Sequence, residues 1–286
     1  MLQCVLSTLH TMGYQCCVAV LQAGEYGAAQ QRRRVIVLGA GPGRSLPRLP
    51  DPTHVFPAHG SLAIHLGKDK TRISNSPRRK ELAGSAPHRA ITVRDVLSDL
   101  PNQTGGLAYT GPPRSAFQRR VRAGGGELTD HCSLELSAAD QARVSLIPRQ
   151  PGADWRDLPN IEIQLSDGSK LGKLSYTGGS VCPCVDGKAC ESQPNTTIPW
   201  FLSHTADKNG HWKDAYGRLD NSGSFGTTLT KPKLDYKQGR VIHPTADRVI
   251  TVREAARSQV ATVIQLNIFS INVYRVSLTA TSSSEL

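Results

Sequence analysis

Gly13-Tyr14-Gln15-Cys16-Cys17-Val18-Ala19-Val20-Leu21-Gln22, followed after a short gap by Gln30-Gln31-Arg32-Arg33-Arg34-Val35-Ile36-Val37-Leu38-Gly39, is the stretch on which the reading of this chain turns. Ahead of it Leu2, Val5, Leu6, Leu9 and Met12 recur at helical spacing, and Gly13 ends the run. Cys16–Leu21 is an apolar run of strand length, and Ala23-Gly24 through Gly27 reads as a loop. Arg34–Leu38 carries the β-branched core Val35-Ile36-Val37 and is stopped by Gly39-Ala40-Gly41-Pro42-Gly43. The spacing therefore predicts helix, strand, loop, strand, with arginines at the mouth of the second strand. Burying an unpaired charge is costly, so those guanidinium groups must face solvent, a phosphate or a ligand.

Outward from this unit the pattern is looser. Residues 41–90 are rich in Pro, Gly, Ser, His and basic side chains and show no sustained period. Ile91-Thr92-Val93-Arg94-Asp95 then gives a capping box, Thr92 with Asp95, ahead of Val96, Leu97 and Leu100. The signature returns at Ile250-Thr251-Val252-Arg253-Glu254, as two ordinary helix starts or as the trace of a duplicated domain. Between them Ser137–Ile147 reads as a helix and Leu158–Leu165 as an alternating strand that meets a turn at Ser166-Asp167-Gly168. Gly217–Leu219 and Gly226–Leu229 are short strand candidates. A loop-rich region of this length between few long elements suggests an insertion that serves recognition.

Charge says something about partners. Of 34 Lys and Arg and 23 Asp and Glu, residues 1–126 hold 17 basic and 6 acidic side chains, so all of the net +11 lies there. A one-sided basic field favours a polyanion such as nucleic acid, or an anionic membrane surface. Hydrophobic content of 38% is low for a globular domain but above the disordered range. The most apolar stretch, Val260–Tyr274, contains Gln265, Asn267, Ser270 and Asn272 and is too short and polar to span a bilayer. With no leader pattern at the N-terminus and an odd count of 7 Cys, three of them crowded together, an intracellular protein without a disulfide framework is expected.

Three constellations could carry chemistry. Cys182, Cys184, Cys190 and His204 form C-x-C-x5-C-x13-H, a soft donor set of the kind a closed tetrahedral zinc site needs. A cysteine-bearing surface loop is the alternative, and His211 competes with His204 for the fourth place. Pro199-Trp200-Phe201-Leu202 and Trp212 flank that cluster, either as a functional patch or as a satellite core. Lys231, Lys233, Lys237 and Arg240 alternate with turn residues. Lys237-Gln238-Gly239-Arg240 offers a Lys for guanine O6 and N7 and a Gln for base edges, or else only phosphate contacts.

These residues carry a resemblance. Gly13–Cys16, Leu21–Gly27 and Gln30-x-Arg32-x-Arg34 before an apolar strand resemble motif VIII of the DNA cytosine-5 methyltransferases. Ile91–Pro101, Trp155–Glu162, Ile198-Pro199-Trp200, the four metal-type residues, Lys237–Val241, His243-Pro244 and Thr251–Gln259 (motif IX) are similar to the maintenance branch of that family. The resemblance implies an α/β protein: an incomplete Rossmann-like methyltransferase sheet carrying a large, loop-rich mixed α+β target recognition domain. It divides the chain into a partial catalytic domain at 1–47, a target recognition domain with its zinc site at 48–247, the motif IX helix at 248–259 and an atypical tail at 260–286. It implies that Gln30, Arg32 and Arg34 belong to the catalytic pocket, with Arg34 on the O2 edge of a flipped-out cytosine and Arg32 supporting it. Cys182, Cys184, Cys190 and His204 would hold zinc, and Lys237, Gln238 and Arg240 would meet DNA. Phe201, Leu202, Trp212, Ala215 and Asp235 align with the pocket that grips the methyl of the parental 5-methylcytosine. Phe201, Ala215 and Asp235 depart from the family's Cys, Leu and Met, and an acid beside a methyl pocket is unfavourable.

The implied activity is methyl transfer from S-adenosylmethionine to C5 of cytosine in double-stranded CpG DNA, in the nucleus and with no membrane partner. The family reaction adds a Cys thiolate to cytosine C6 before C5 takes the methyl group. The only Pro-Cys step here is Pro183-Cys184, inside the metal-type cluster. Gly39-Ala40-Gly41-Pro42-Gly43 ends in proline and does not serve as a cofactor loop. No residue of this chain is therefore assigned to the cofactor. The chain is expected to be inactive alone and to need the missing N-terminal half of the enzyme. The alternative is a non-catalytic, zinc-stabilised CpG DNA-binding module.

Overall fold

The computed structural model describes residues 2–56, 64–66, 71–73, 86–106, 108–123, 127–176, 182, 184, 190–228, 233–236 and 240–260. Lys237, Gln238 and the tail after Val260 lie outside them. The chain divides into two compact units, Met1–Ile91 and Thr92–Leu286. It is a mixed α/β protein with small sheets. Among the described residues these are four two-stranded ladders: three antiparallel, one parallel.

The first unit is built on a helix and a hairpin. Helix α1 (Leu2–Thr11) ends where Gly13 takes φ +78°, a left-handed turn that glycine adopts without strain. Strands β1 (Gln15–Gln22) and β2 (Arg33–Ala40) pair antiparallel from Gln15 opposite Ala40 to Gln22 opposite Arg33. What reads as a loop after β1 is a single 3-10 turn, Ala23–Tyr26, closed by Gly27 at φ +85°. The backbone then runs back along the hairpin. Thr53 and His54 both donate their N–H to Glu25 O, and Phe56 lies so close to Gly24 that a Cβ there would sit 2.2 Å from its ring. Two short strands, β3 (Ile64–Leu66) and β4 (Thr71–Ile73), pair antiparallel inside the stretch that lacks any sequence period.

The second unit gathers short helices on one apolar core. Helix α2 (Val93–Leu97) packs on α3 (Ala116–Val121) and on α6 (Val252–Ser258). Val93, Val96, Phe117, Val121, Ile250 and Leu128 are buried among them. Both expected capping boxes are formed. Thr92 Oγ1 accepts from Asp95 N and Asp95 accepts from Thr92 N, and Thr251 and Glu254 repeat the exchange. Helix α4 (Ala138–Leu146) starts at Ser137 as its spacing predicts.

Two strand expectations are corrected. Leu158–Leu165 contributes only β5 (Ile163–Gln164), paired with β6 (Lys170–Leu171). Ahead of β5 the Asp154–Asp157 box winds a 3-10 turn over Trp155–Asp157. Asn160 then spends its side chain on the backbone of Leu174, donating to its carbonyl and accepting from its N–H. Side-chain bonds to the backbone compete with a ladder at these positions. Gly226–Thr228 holds no strand, while Gly217–Leu219 yields β7 (Gly217–Arg218), parallel to β8 (Arg240–Ile242). Among the described residues no helix is long and apolar enough to cross a membrane.

Candidate functional site

The hairpin of the first unit sets the arginines in place. Arg33 faces Gln22 and Arg34 faces Leu21 across the ladder, and Arg32 holds the turn through its carbonyl, which accepts from Ala23 N at 2.8 Å. The Arg34 side chain is exposed and donates to Arg33 O, while Arg32 and Arg33 are half-buried. Gln30 and Gln22 are buried, and the side-chain carbonyl oxygen of each has no donor among the described residues. A buried amide oxygen left without a donor is costly. The cavity beside this hairpin is lined by Leu6, His10, Tyr14 and Cys16 at the opposite end of the ladder from the arginines.

In the second unit Cys182, Cys184, Cys190 and His204 converge, with one ligand atom from each and all within 4.8 Å of one another. His204 Nδ1 lies 3.3 Å from Cys182 Sγ and 3.2 Å from Cys190 Sγ, and the two sulfurs are 3.5 Å apart. A tetrahedral zinc ion with bonds of about 2.0–2.3 Å has ligand–ligand edges of roughly 3.5–3.8 Å. The donor set and its spacing fit zinc. The competition for the fourth place is decided by geometry, because His211 is exposed and points to Asp207, 3.8 Å away. Burial first, then hydrogen bonds to Cys182 and Cys184, push the Cys190 thiol up to about 11. A cation is what such crowded sulfurs need in order to ionise.

His204 ends α5 (Trp200–His204), and the same helix carries the apolar patch. Trp200 lies flat on the His204 ring, with centroids 4.4 Å apart and planes at 14°. Phe201 is exposed and meets the Trp212 ring edge-on at 6.2 Å. Trp212 is fixed by its indole N–H, which donates to Thr205 Oγ1 at 2.7 Å. Leu202 and Ala215 have no exposed surface and sit in the core beneath, whereas Asp235 is exposed beside buried Leu234. The backbone here is strained: His211, Trp212, Asp214 and Tyr216 all take positive φ between 45° and 80°. Such conformations persist only where the surroundings over-determine them. They do so here. Trp155 Nε1 donates to His211 O, Tyr216 OH donates to Asp140 at 2.6 Å, and Tyr216 N donates to Leu234 O.

Arg240 stands at the start of β8, directly after the undescribed Lys237–Gly239. Its guanidinium is paired with Asp214, and its Nε is buried without a partner among the described residues. Gly217 permits this closeness, since a Cβ there would sit 2.6 Å from Asp214 O and 3.0 Å from Arg240 Cα. The Asp214–Arg240 pair and the Trp200–His204 stack are features that sequence reading missed. The Trp-x3-His spacing was a visible signal for the second; nothing in the sequence marks the first.

Residues 1–105 match the family model of the C-5 cytosine-specific DNA methylases. The chain is 47% identical to "DNA (cytosine-5)-methyltransferase 1" of Gallus gallus over 281 residues, which are 90% of this chain and 18% of that protein. It is 44% identical to "DNA (cytosine-5)-methyltransferase PliMCI" of Paracentrotus lividus, over 90% of this chain and 17% of that one. Against "DNA (cytosine-5)-methyltransferase 1B" of Oryza sativa subsp. japonica the identity is 40%, over 89% of this chain and 15% of the relative. The chain thus spans less than a fifth of the length of the curated relatives it matches.

Proposed function

We propose, from the premise that this chain belongs to the C-5 cytosine-specific DNA methylases, that it supplies the target-recognition part of an enzyme methylating C5 of cytosine in CpG DNA. The observation that carries this is the hairpin, which brings Gln30, Arg32 and Arg34 to one strand mouth inside the stretch that the family model matches. In this reading Arg34, exposed and bonded only locally, takes the O2 edge of an extruded cytosine. Arg32 and buried Gln30 shape the floor beneath it. The unsatisfied amide oxygens of Gln22 and Gln30 support a pocket wall that other atoms complete.

The second unit reads the duplex. Lys237 and Gln238 contact guanine, Phe201 and Trp212 present an aromatic edge to the DNA, and Arg240 steadies the reading loop through Asp214. Zinc in the Cys182–Cys184–Cys190–His204 cluster ties α5 to the segment before it. S-adenosylmethionine supplies the methyl group, and we assign none of the described residues to it. The chain alone transfers no methyl. Its partners are CpG duplex and the remainder of the enzyme, and its place is the nucleus.

The experiment is a labelled-methyl transfer assay on CpG duplex DNA. The chain alone should remain at background. Joined to the catalytic part of the Gallus gallus relative it should be active, and Arg34→Ala in that chimera should lower the rate by a hundredfold or more. Transfer by the chain alone, or an Arg34→Ala chimera as active as its parent, would overturn the reading.

A further inference from the structure

We infer that the exposed arginines around α3, Arg114, Arg119 and Arg120, are a phosphate-binding face that grips the DNA backbone without reading its sequence. The inference rests on the reading of this chain as the duplex-recognising part of a methylase, and it adds a contact surface to that reading.

From Leu100 to Gly126 the chain has no acidic residue, yet Arg114, Arg119, Arg120 and Arg122 fall within nine positions. Arg122 serves the fold. It donates to Asp99 and to Gly111 O, and its guanidinium lies 3.8 Å from the centroid of the Tyr109 ring. The other three point outward. Helix α3 turns Phe117, Gln118 and Val121 inward and leaves Ala116, Arg119 and Arg120 exposed, and Arg114 is exposed just ahead of it. Their backbone is held firmly. Gln118 Oε1 accepts from Arg114 N at 2.6 Å, while Gln118 Nε2 donates to Asp95 O and Ser98 Oγ of the neighbouring segment.

The acids nearest in sequence are engaged elsewhere. Asp95 closes the cap of α2, and Asp99 is buried against Arg257 and Arg122. Arg114 and Arg119 enter no ion pair among the described residues, whereas exposed Arg149 and Arg156 of the same unit are held by Asp247 and Asp154. Helix polarity accounts for only part of this. Arg119 and Arg120 suit the last turn of α3, but Arg114 stands ahead of the Ser115 cap, where a cation is disfavoured.

The character of the face selects the partner. Among the described residues of 108–123 no large apolar side chain is exposed, so the face lacks the apolar centre of a protein interface. A guanidinium matches phosphate through paired N–H bonds. Such contacts fix the position of a duplex and carry no sequence information.

The test measures binding of the full chain to CpG and TpG duplexes of one length across a salt series. Each phosphate contact adds about 0.9 to the slope of log affinity against log salt. Arg114→Gln/Arg119→Gln/Arg120→Gln should therefore be shallower by about two to three, with the CpG-to-TpG ratio of the parent. The corresponding triple Lys variant keeps the charge and should keep the parental slope. Lys170→Gln/Lys173→Gln removes exposed charge at the β5–β6 hairpin and should leave the slope unchanged. Thermal melting checks folding, and should the triple Gln variant melt early, the three single variants decide, each expected to lose about 0.9. A parental slope in the Gln variants would overturn the proposal. So would an equal loss per charge in the Lys170→Gln/Lys173→Gln control, a Lys variant as shallow as the Gln variant, or a CpG-to-TpG ratio that collapses with the arginines. A parent chain that binds neither duplex would overturn the recognition reading and this proposal together.

Discussion

Arg218 has no exposed surface, yet it carries a full charge. Its Nε donates to Pro148 O, and its Nη1 donates to the carbonyls of His243 and Ala246 at 2.7 and 2.9 Å. Its Nη2 reaches Ile147 O and the Asp247 carboxylate. Burial lowers its pKa, and the Asp247 carboxylate offsets part of that. One guanidinium thus closes the C-terminal turn of α4 and the 243–247 loop at once. Arg218→Met should cost roughly 3–5 kcal/mol in urea unfolding, because several buried carbonyls and Asp247 lose their donor. A loss under 1 kcal/mol would show that water replaces it. His243 is the residue to follow with pH. Burial holds it neutral and pulls its pKa down to about 4, although Glu254 pulls the other way. The unfolded imidazole titrates near 6.5. Between about 6.5 and 4 the unfolded chain therefore binds more protons than the folded one, so stability is full above that window and falls as pH drops through it. The parent should lose about 3 kcal/mol or less across the window, and His243→Gln should show a flatter curve. Parallel curves would rule His243 out as the source.

At the scale of elements, the parallel β7–β8 contact depends on the close approach that Gly217 allows. Gly217→Ala places a methyl against the backbone of Asp214 and Arg240, so it should force the two strands apart. The expected result is about 2 kcal/mol or more of lost stability together with reduced CpG preference, measured by unfolding and by duplex binding. The helix starts are smaller effects: Thr92→Ala should cost about 1 kcal/mol through its cap. Thr251→Ala should cost more, because Thr251 Oγ1 also meets buried His131 Nδ1 at 3.1 Å. The elements legible beforehand are those set by neighbours in the chain. Thr92 with Asp95, Thr251 with Glu254, Ser137 ahead of α4, and the hairpin between Gly13 and Gly39 depend on contacts within a few residues. Where distant residues decide, the sequence is silent. Leu158–Leu165 looked like one strand because its alternation hides the Asn160 bonds to Leu174. The burial of Arg218, Arg253 and Arg257 depends on partners far along the chain; Arg257 binds Asp99 at 2.6 Å across 158 positions. The four metal-type residues named from the sequence, Cys182, Cys184, Cys190 and His204, are the ones that converge, and geometry removes His211 as a competitor for the fourth place.

The whole molecule comprises two compact units. The first carries the arginine-bearing hairpin and the second carries the Cys182–Cys184–Cys190–His204 cluster and the Phe201–Trp212 pair. If the cluster holds zinc, its binding energy is part of the folding energy of the second unit. Stripping the metal with a strong chelator should lower the thermal midpoint by several degrees, and re-added zinc should restore it. An unchanged midpoint would mean that the four ligands act as an ordinary polar cluster. The central claim is that this chain reads CpG, and equilibrium binding of the zinc-loaded chain to CpG and TpG duplexes at two salt concentrations tests it most directly. Base readout is worth about 1–3 kcal/mol per lost contact, whereas phosphate contacts respond only to salt. The account predicts tighter binding to CpG, by about tenfold, with the ratio kept as both affinities fall with salt. Equal affinities for the two duplexes at both salt concentrations would contradict it.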